Sequence, residues 1–426
     1  MKLPSGFVTL AAPHAVPAWR VLAKTAADVL GKLVTLAVVV LAARRLSPEA
    51  FGVLAVATTA GWLLGVATDA GWSMFLAREI ARRPSAWRAI AREVLAWRAG
   101  SAGAAVACAA LAARWLVPAA DRPAFVLLVS ASLAGAVLET AMHVFRGLER
   151  AEIEAALHAA QRGAAGIAGG AVLWWRPGLV PLALALLVPP LAALGTAAAI
   201  ARRIDPGGGG RAPAATLAWA DVRRRVLPLG AGALISALYF RIDVFFVESW
   251  HGLDAAGAYN AVFRIVDALR LLPAAVLAVA FPRLVRAADP AAASRLGAAL
   301  FGAGVAVAAA VALAAAWIVT AVYGPRYSGT SGTLIVLSAS VPLFYLNYVL
   351  THQVIAWDGD RAYARVAALA LAANLAANVA FVPAYGARGA AVATGLTELA
   401  VTAGCCAALR RRRAPLAVPV AAGGDA

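Results

Sequence analysis

The chain has 426 residues, 63% of them hydrophobic and 14% charged, with a formal net charge of +17 and a mean hydropathy of +0.80. That balance excludes a soluble globular domain. Apolar blocks of about 20 residues, each long enough to cross about 30 Å of hydrocarbon as a helix, also exclude a barrel of short alternating strands.

Residues 1–20 contain Pro4, Pro13 and Pro17 and no apolar core ahead of a cleavage site, so the first span is expected to insert and stay. Twelve spans are predicted, at 22–43, 51–76, 94–117, 123–145, 153–175, 178–201, 226–247, 257–281, 297–322, 331–356, 362–382 and 388–409. Of the 38 Lys and Arg, 25 fall in the N-terminal segment and the alternate connections on its side, seven on the opposite side and six within spans. The bias predicts cytoplasmic termini. Trp115, Trp174, Trp175 and Trp250 then sit at outer span ends, where amphipathic rings favour the interface.

The basic residues lie between apolar blocks, so they read as topology signals and no nucleic-acid partner is expected. The segment 84–98, "PSAWRAIAREVLAWR", is read as a solvated basic loop, with a surface helix capped by Ser85 as the alternative. Residues 202–225, "RRIDPGGGGRAPAATLAWADVRRR", form a Gly- and Pro-rich cytoplasmic linker. This divides the chain into a six-span bundle at 1–201 and a second at 226–426 that ends in a short basic tail. Both halves begin on the same side, so a repeat would be parallel.

Cys108, Cys405 and Cys406 lie within spans without metal-site spacing, and the five histidines are scattered, so neither a metal nor another cofactor is expected. No GxxxxGK[ST] loop is present, which points to a secondary, ion- or potential-driven process. The basic residues inside spans are Lys32, Arg98, Arg162, Arg241, Arg264 and Arg270. Each costs about 2.5–3.5 kcal/mol at a helix centre, so each needs a partner, water or a route to the surface.

Four segments together carry a family resemblance: "RRLSPEAFGVLAVA" (44–57) with "TDAGWSMFLAREIARR" (68–83); "YFRIDVFFV" with "GAYNAVFRIVDALRLLPAAVLAVAFPRL" (257–284); "YGPRYSGTSGTLIVLSASVPLFYLN" (323–347); and "NLAANVAFVPAYGARGAAVATGLTE" (374–398). In this order the chain resembles the oligosaccharide flippases of polysaccharide biosynthesis, within the multidrug/oligosaccharidyl-lipid/polysaccharide exporter superfamily. The resemblance spans residues 22–409. It implies an all-α membrane protein of about twelve helices, in two six-helix bundles around a central cavity. It further implies a bacterial inner-membrane location and, as cargo, a polyprenyl-diphosphate-linked oligosaccharide moved by alternating access, with membrane lipids and a polysaccharide polymerase as neighbours.

A diphosphate suits guanidinium groups, which bind it through paired hydrogen bonds. Lys32, Arg241, Arg264 and Arg270 are therefore expected to converge on one cavity. Arg264, Asp267 and Arg270 lie at i, i+3 and i+6, about 120° of one helix face. Arg98 and Arg162 are read as snorkelling. Asp28 with Lys32, Asp69, and Glu139 with His143 are candidates for ion pairing or ion coupling. Asn374 and Asn378 either meet sugar hydroxyls or join two spans. Arg241 and Asp243, about 200° apart around a helix, need separate partners; Arg241 is expected to face the cavity and Asp243 a neighbouring span. Two other readings compete: a cation-coupled drug or metabolite exporter of the same superfamily, and a membrane glycosyltransferase or polymerase, which the short outer loops disfavour.

Overall fold

A computed structural model describes residues 18–204, 219–277, 280, 290–356 and 360–413, apart from the side chains of 18–29, 32, 219–225, 227–229, 290, 360, 412 and 413. Most of the linker 205–218 and the basic tail after Arg413 lie outside the described residues, as do the side chains of Asp28 and Lys32.

The first group of helices is α1 (Ala18–Arg45), α2 (Pro48–Asp69), α3 (Trp72–Arg82), α4 (Trp87–Leu116), α5 (Arg122–Gly147), α6 (Ala151–Trp175) and α7 (Leu179–Arg203). The second is α8 (Trp219–Arg241), α9 (Asp243–Leu269), α10 (Pro290–Tyr323), α11 (Ser331–Ser338), α12 (Val341–Ala356) and α13 (Asp360–Arg413). Within the first group α5 packs on α2, α4 and α7, and α6 on α1 and α7; within the second α12 packs on α10 and α13, and α13 on α8 and α9. The groups meet mainly where α2 lies against α9 and α8.

Among the described residues seven helical segments are long and apolar enough to cross a membrane, or eight if one bent pair, Pro325–Ser338 with Val341–Ala356, counts as a span. Two of the seven double back at a glycine in the left-handed region, Gly252 (φ 83°) in α9 and Gly386 (φ 55°) in α13. Each therefore supplies two of the predicted spans. Adding α1 and α6, which lie over the first and fifth predicted spans, recovers the twelve-span plan.

Local sequence explains the ends. At α2 the Ser47 hydroxyl accepts the Ala50 N–H at 3.2 Å, Pro48 occupies the first turn, and Glu49 faces the positive end of the helix dipole. The segment 84–98 is not a loop: a short 3₁₀ turn at Pro84–Ala86 runs straight into α4. Burial of Trp87, Ile90 and Val94 against α3 provides the reason, because these apolar positions recur at helical spacing. Its cap is Ala86 and not Ser85.

Where the groups meet, glycine permits main-chain contact. A methyl group at Gly52 would lie 2.1 Å from the Leu253 carbonyl oxygen, and one at Gly230 would lie 2.1 Å from that of Ala70. The end of the bundle where α1 stops carries a reciprocal set of arginine caps. Arg44 donates from Nε to the Val322 carbonyl at 2.7 Å and from Nη2 to that of Ala321, at the end of α10. Arg326 donates to the carbonyls of Leu46 (3.0 Å), Ala43 (2.9 Å) and Arg44 (2.7 Å), at the end of α1. Each cation thus satisfies orphan carbonyls of a helix in the other group.

Candidate functional site

A cavity of about 800 Å³ opens between the groups, lined by all seven helices of the first and by α8 and α9 of the second. Its wall carries Asp69, Arg98, Glu139, His143, Arg162 and Arg264 among apolar and small residues. A second chamber of about 430 Å³ holds Asp267 and Arg270, and the two share Trp62, Val66 and Ala233 as common wall. The arc predicted on α9 is therefore real but divided: Arg264 faces the first chamber, Asp267 and Arg270 the second.

Asp69 ends α2, and the left-handed pair Ala70 (φ 44°) and Gly71 (φ 95°) turns the chain into α3. That turn gathers donors around the carboxylate: the Gly71 N–H at 3.2 Å, the Ser73 N–H at 3.3 Å with the Ser73 hydroxyl, and the Thr140 hydroxyl at 3.3 Å. Arg98 approaches from α4, with Nε 3.0 Å from Thr140 Oγ1 and 3.8 Å from the Asp69 carboxylate. Its side chain is fully buried, and both terminal nitrogens have no partner. Snorkelling does not describe it; a guanidinium fixed at Nε by α2 and α5 keeps both terminal nitrogens, with four N–H donors, free beside the cavity. Arg162, the other residue read as snorkelling, also lines this chamber, where its side chain packs over Gly31.

On α5, Glu139 and His143 share the cavity face, yet they are joined through the main chain: His143 Nδ1 lies 2.8 Å from the Glu139 carbonyl. Its Nε2 lies 3.0 Å from Nη1 of Arg146, a donor only, so the imidazole must donate from Nδ1 and accept at Nε2. Arg146 in turn is ion-paired with Glu154 of α6, its Nε 3.1 Å from the carboxylate. A chain of polar groups thus runs from the cavity to the start of α6.

Arg241 lines neither chamber. It is buried where α2 meets the second group, donating to Thr59 Oγ1 at 3.0 Å and Asn260 Oδ1 at 2.6 Å, with its guanidinium 4.6 Å over the Phe263 ring. The expected cavity position is corrected, because α2 supplies a partner that the 239–248 stretch does not reveal. Asp243 meets neighbouring helices: it accepts from Tyr259 and lies 3.5 Å from Thr394 Oγ1, and it takes the Val244 N–H at 3.0 Å. Asn374 and Asn378 are buried; Asn378 Nδ2 donates to Asn374 Oδ1 at 3.0 Å within one arm of α13, and Asn374 Nδ2 donates to Thr397 Oγ1 at 3.0 Å, joining the two arms. Neither is on the wall of the two chambers.

Glu398 was not singled out by sequence, although a carboxylate inside a span was the signal that marked Asp69. It is buried and accepts from Asn347 Nδ2 at 2.7 Å, while Thr402 donates to Asn347 Oδ1 at 2.8 Å. Among the described residues no group of three His, Cys, Asp or Glu side chains is gathered as for a metal ion.

Known proteins agree with this architecture. The chain superposes on a multidrug resistance MATE family transporter of the MOP superfamily in an inward-facing conformation, with TM-score 0.68 and 15% identity over 89% of this chain and 94% of that one. Against the lipid II flippase MurJ in an inward closed conformation, the TM-score is 0.69 and the identity 13%, over 91% and 87% of the two chains. The Vibrio cholerae MATE transporter VcmN in its bent form gives 0.56 and 15%, over 92% and 97%. No curated protein matches in sequence. The family described as polysaccharide biosynthesis protein matches residues 20–288, more than half of the chain. A helical bundle around a two-chambered cavity shares its fold with the MATE and MurJ structures, and the match over residues 20–288 places the chain in the polysaccharide biosynthesis protein family.

Proposed function

We propose that the protein moves a polyprenyl-diphosphate-linked oligosaccharide from the inner to the outer leaflet of a bacterial inner membrane by alternating access, with both termini cytoplasmic. The observation that carries this reading is Arg98: fully buried, on the cavity wall, with both terminal nitrogens unpaired. An arginine held this way is arranged for an incoming anion with several acceptor oxygens, which a diphosphate provides.

The remaining wall charges favour an anion as well. Arg264 also has a buried Nε without a partner, and three wall arginines face two wall carboxylates, one of which, Asp69, already accepts four hydrogen bonds. A cationic drug would enter a cavity where arginines outnumber carboxylates and one of the two carboxylates is already satisfied, so the exporter reading ranks second. On this reading Arg98 and Arg264 hold the diphosphate, the prenyl tail stays in the bilayer, and a polymerase consumes the cargo on the far side.

The test is deletion of the gene, followed by mass spectrometry of polyprenyl-linked glycans. A lipid-linked oligosaccharide is expected to accumulate in the deletion strain and with Arg98→Met at normal protein level, and less with Arg98→Lys. Absence of any accumulated lipid-linked glycan refutes the reading; sensitivity to organic cations in its place supports the exporter.

A further inference from the structure

We infer that the second chamber is a saccharide subsite: it takes a sugar ring of the cargo against Trp62, with Asp267 and the tyrosine hydroxyls as hydrogen-bonding groups, while the first chamber holds the anion. The inference rests on the reading of the cargo as a lipid-linked saccharide, and it divides that cargo between two sets of residues.

The two chambers differ in chemistry. The first is lined largely by aliphatic and small residues with arginines set among them. The second is aromatic and hydroxylated, with Trp62, Tyr239, Phe240, Tyr348 and Tyr363 on its wall beside Ser236, Asp267 and Arg270. Its volume of about 430 Å³ falls in the roughly 300–1,000 Å³ range of small-ligand sites. A sugar ring has an apolar face of C–H groups and a rim of hydroxyls, so it needs a flat ring to lie on and acceptors and donors at the edge. An aromatic side chain with a polar handle offers both.

Trp62 is the clearest sign. It lies midway along α2, between two largely buried turns, yet 43% of its surface is exposed, and that surface belongs to the wall common to both chambers. Its edge is braced by Phe240, whose ring lies 6.3 Å away at 67°. An apolar ring kept open inside a protein has no packing role on that side. The carboxylate of Asp267, half-buried on the chamber wall, has no hydrogen bond or ion pair among the described residues, so its oxygens are available to hydroxyl donors. Arg270 does not neutralise it: its guanidinium lies 4.2 Å over Phe240 and 4.8 Å over Phe344, and its Nε is buried without a partner. The Tyr363 hydroxyl, 3.1 Å from Ser236 Oγ, adds a pair that can donate and accept.

The geometry also fits one cargo reaching both chambers. Arg264 and Asp267 are successive on one face of α9, about 4.5 Å apart in rise, with Trp62 facing them from α2. A diphosphate bound at Arg98 and Arg264 therefore brings its first sugar to the shared wall.

Full-length protein in nanodiscs is titrated with undecaprenyl diphosphate and with undecaprenyl diphosphates bearing N-acetylglucosamine, glucose or galactose. At least one glycosylated lipid is expected to bind about tenfold tighter than the bare one, the effect of one good ring contact or charge-assisted hydrogen bond. Trp62→Leu and Asp267→Asn are each expected to remove most of that gain while leaving the bare lipid within twofold, and Trp62→Phe to keep part of it. Equal weakening of both kinds of lipid by Trp62→Leu overturns the subsite and assigns Trp62 to structure. Wild-type binding that ignores the sugar overturns it as well, with the diphosphate reading intact. If no lipid binds, the cargo reading itself fails and takes the subsite with it.

Discussion

Removing Arg326 is expected to loosen the seam between the two groups at the end where α1 stops. Its guanidinium donates three hydrogen bonds, to the carbonyls of Ala43, Arg44 and Leu46, and each is a bond from a charge to the negative end of a helix. Hydrogen bonds to charged groups contribute about 1.5–3 kcal/mol when buried. Arg326 is exposed, so solvent screening reduces each to about 0.5–1 kcal/mol, and the set contributes roughly 2 kcal/mol to the joined state. At about 1.4 kcal/mol per factor of ten, Arg326→Ala then lowers the ratio of joined to parted seam by roughly 30-fold. Spin labels at Ala119 and Ser328, on exposed positions of the two groups in a cysteine-free background, report this by pulsed electron resonance. The short-distance population should shrink and a longer one grow. Arg326→Lys should lie between, because a point charge cannot serve three carbonyls in a planar fork. A distance distribution unchanged by Arg326→Ala refutes the assignment of these caps as a lock.

Other outcomes are equally specific. Glu398→Gln should change the thermal midpoint little, since an amide oxygen still accepts from Asn347 Nδ2, whereas Glu398→Leu should cost about 1 kcal/mol by leaving that donor to the main-chain oxygen alone. Asn374→Leu, which removes the bond to Thr397 between the two arms of α13, is expected to lose about 0.6 kcal/mol, the mean for side-chain hydrogen bonds between membrane helices, and to leave transport unchanged, which complementation of a deletion strain measures. Thr59→Val removes one of the two hydrogen bonds of buried Arg241 and should destabilise the protein by about 1–3 kcal/mol in a detergent melt. Purified protein should hydrolyse no ATP; a turnover above background contradicts the secondary mechanism.

Much of the fold is legible because hydropathy and charge act locally. The turn residues Gly252 and Gly386 fall in or beside the predicted breaks, and Ser47–Pro48–Glu49 marks the start of α2 in three letters. The site was less legible, for a reason that Arg98 and Arg241 illustrate. Both are arginines within apolar helices, and by insertion cost they are equivalent. Arg241 finds Thr59 from 182 residues away and is consumed by structure, while Arg98 donates from Nε to Thr140, beside Asp69, and keeps both terminal nitrogens free. What separates them is the partner that tertiary packing delivers, and no window around either residue contains it. The arginine caps were illegible for a different reason: their acceptors are main-chain oxygens, which every residue type supplies equally.

The two glycine contacts along α2 set up opposing levers. Gly52 touches Leu253 near one end of this helix and Gly230 touches Ala70 at the other, separated by 18 residues or about 27 Å of rise. A rigid rod held at both ends can swing only by releasing one and turning on the other. A methyl group at Gly52 therefore forces the two groups apart at one end of α2 and one at Gly230 at the other, so two identical substitutions should open opposite ends of the same seam.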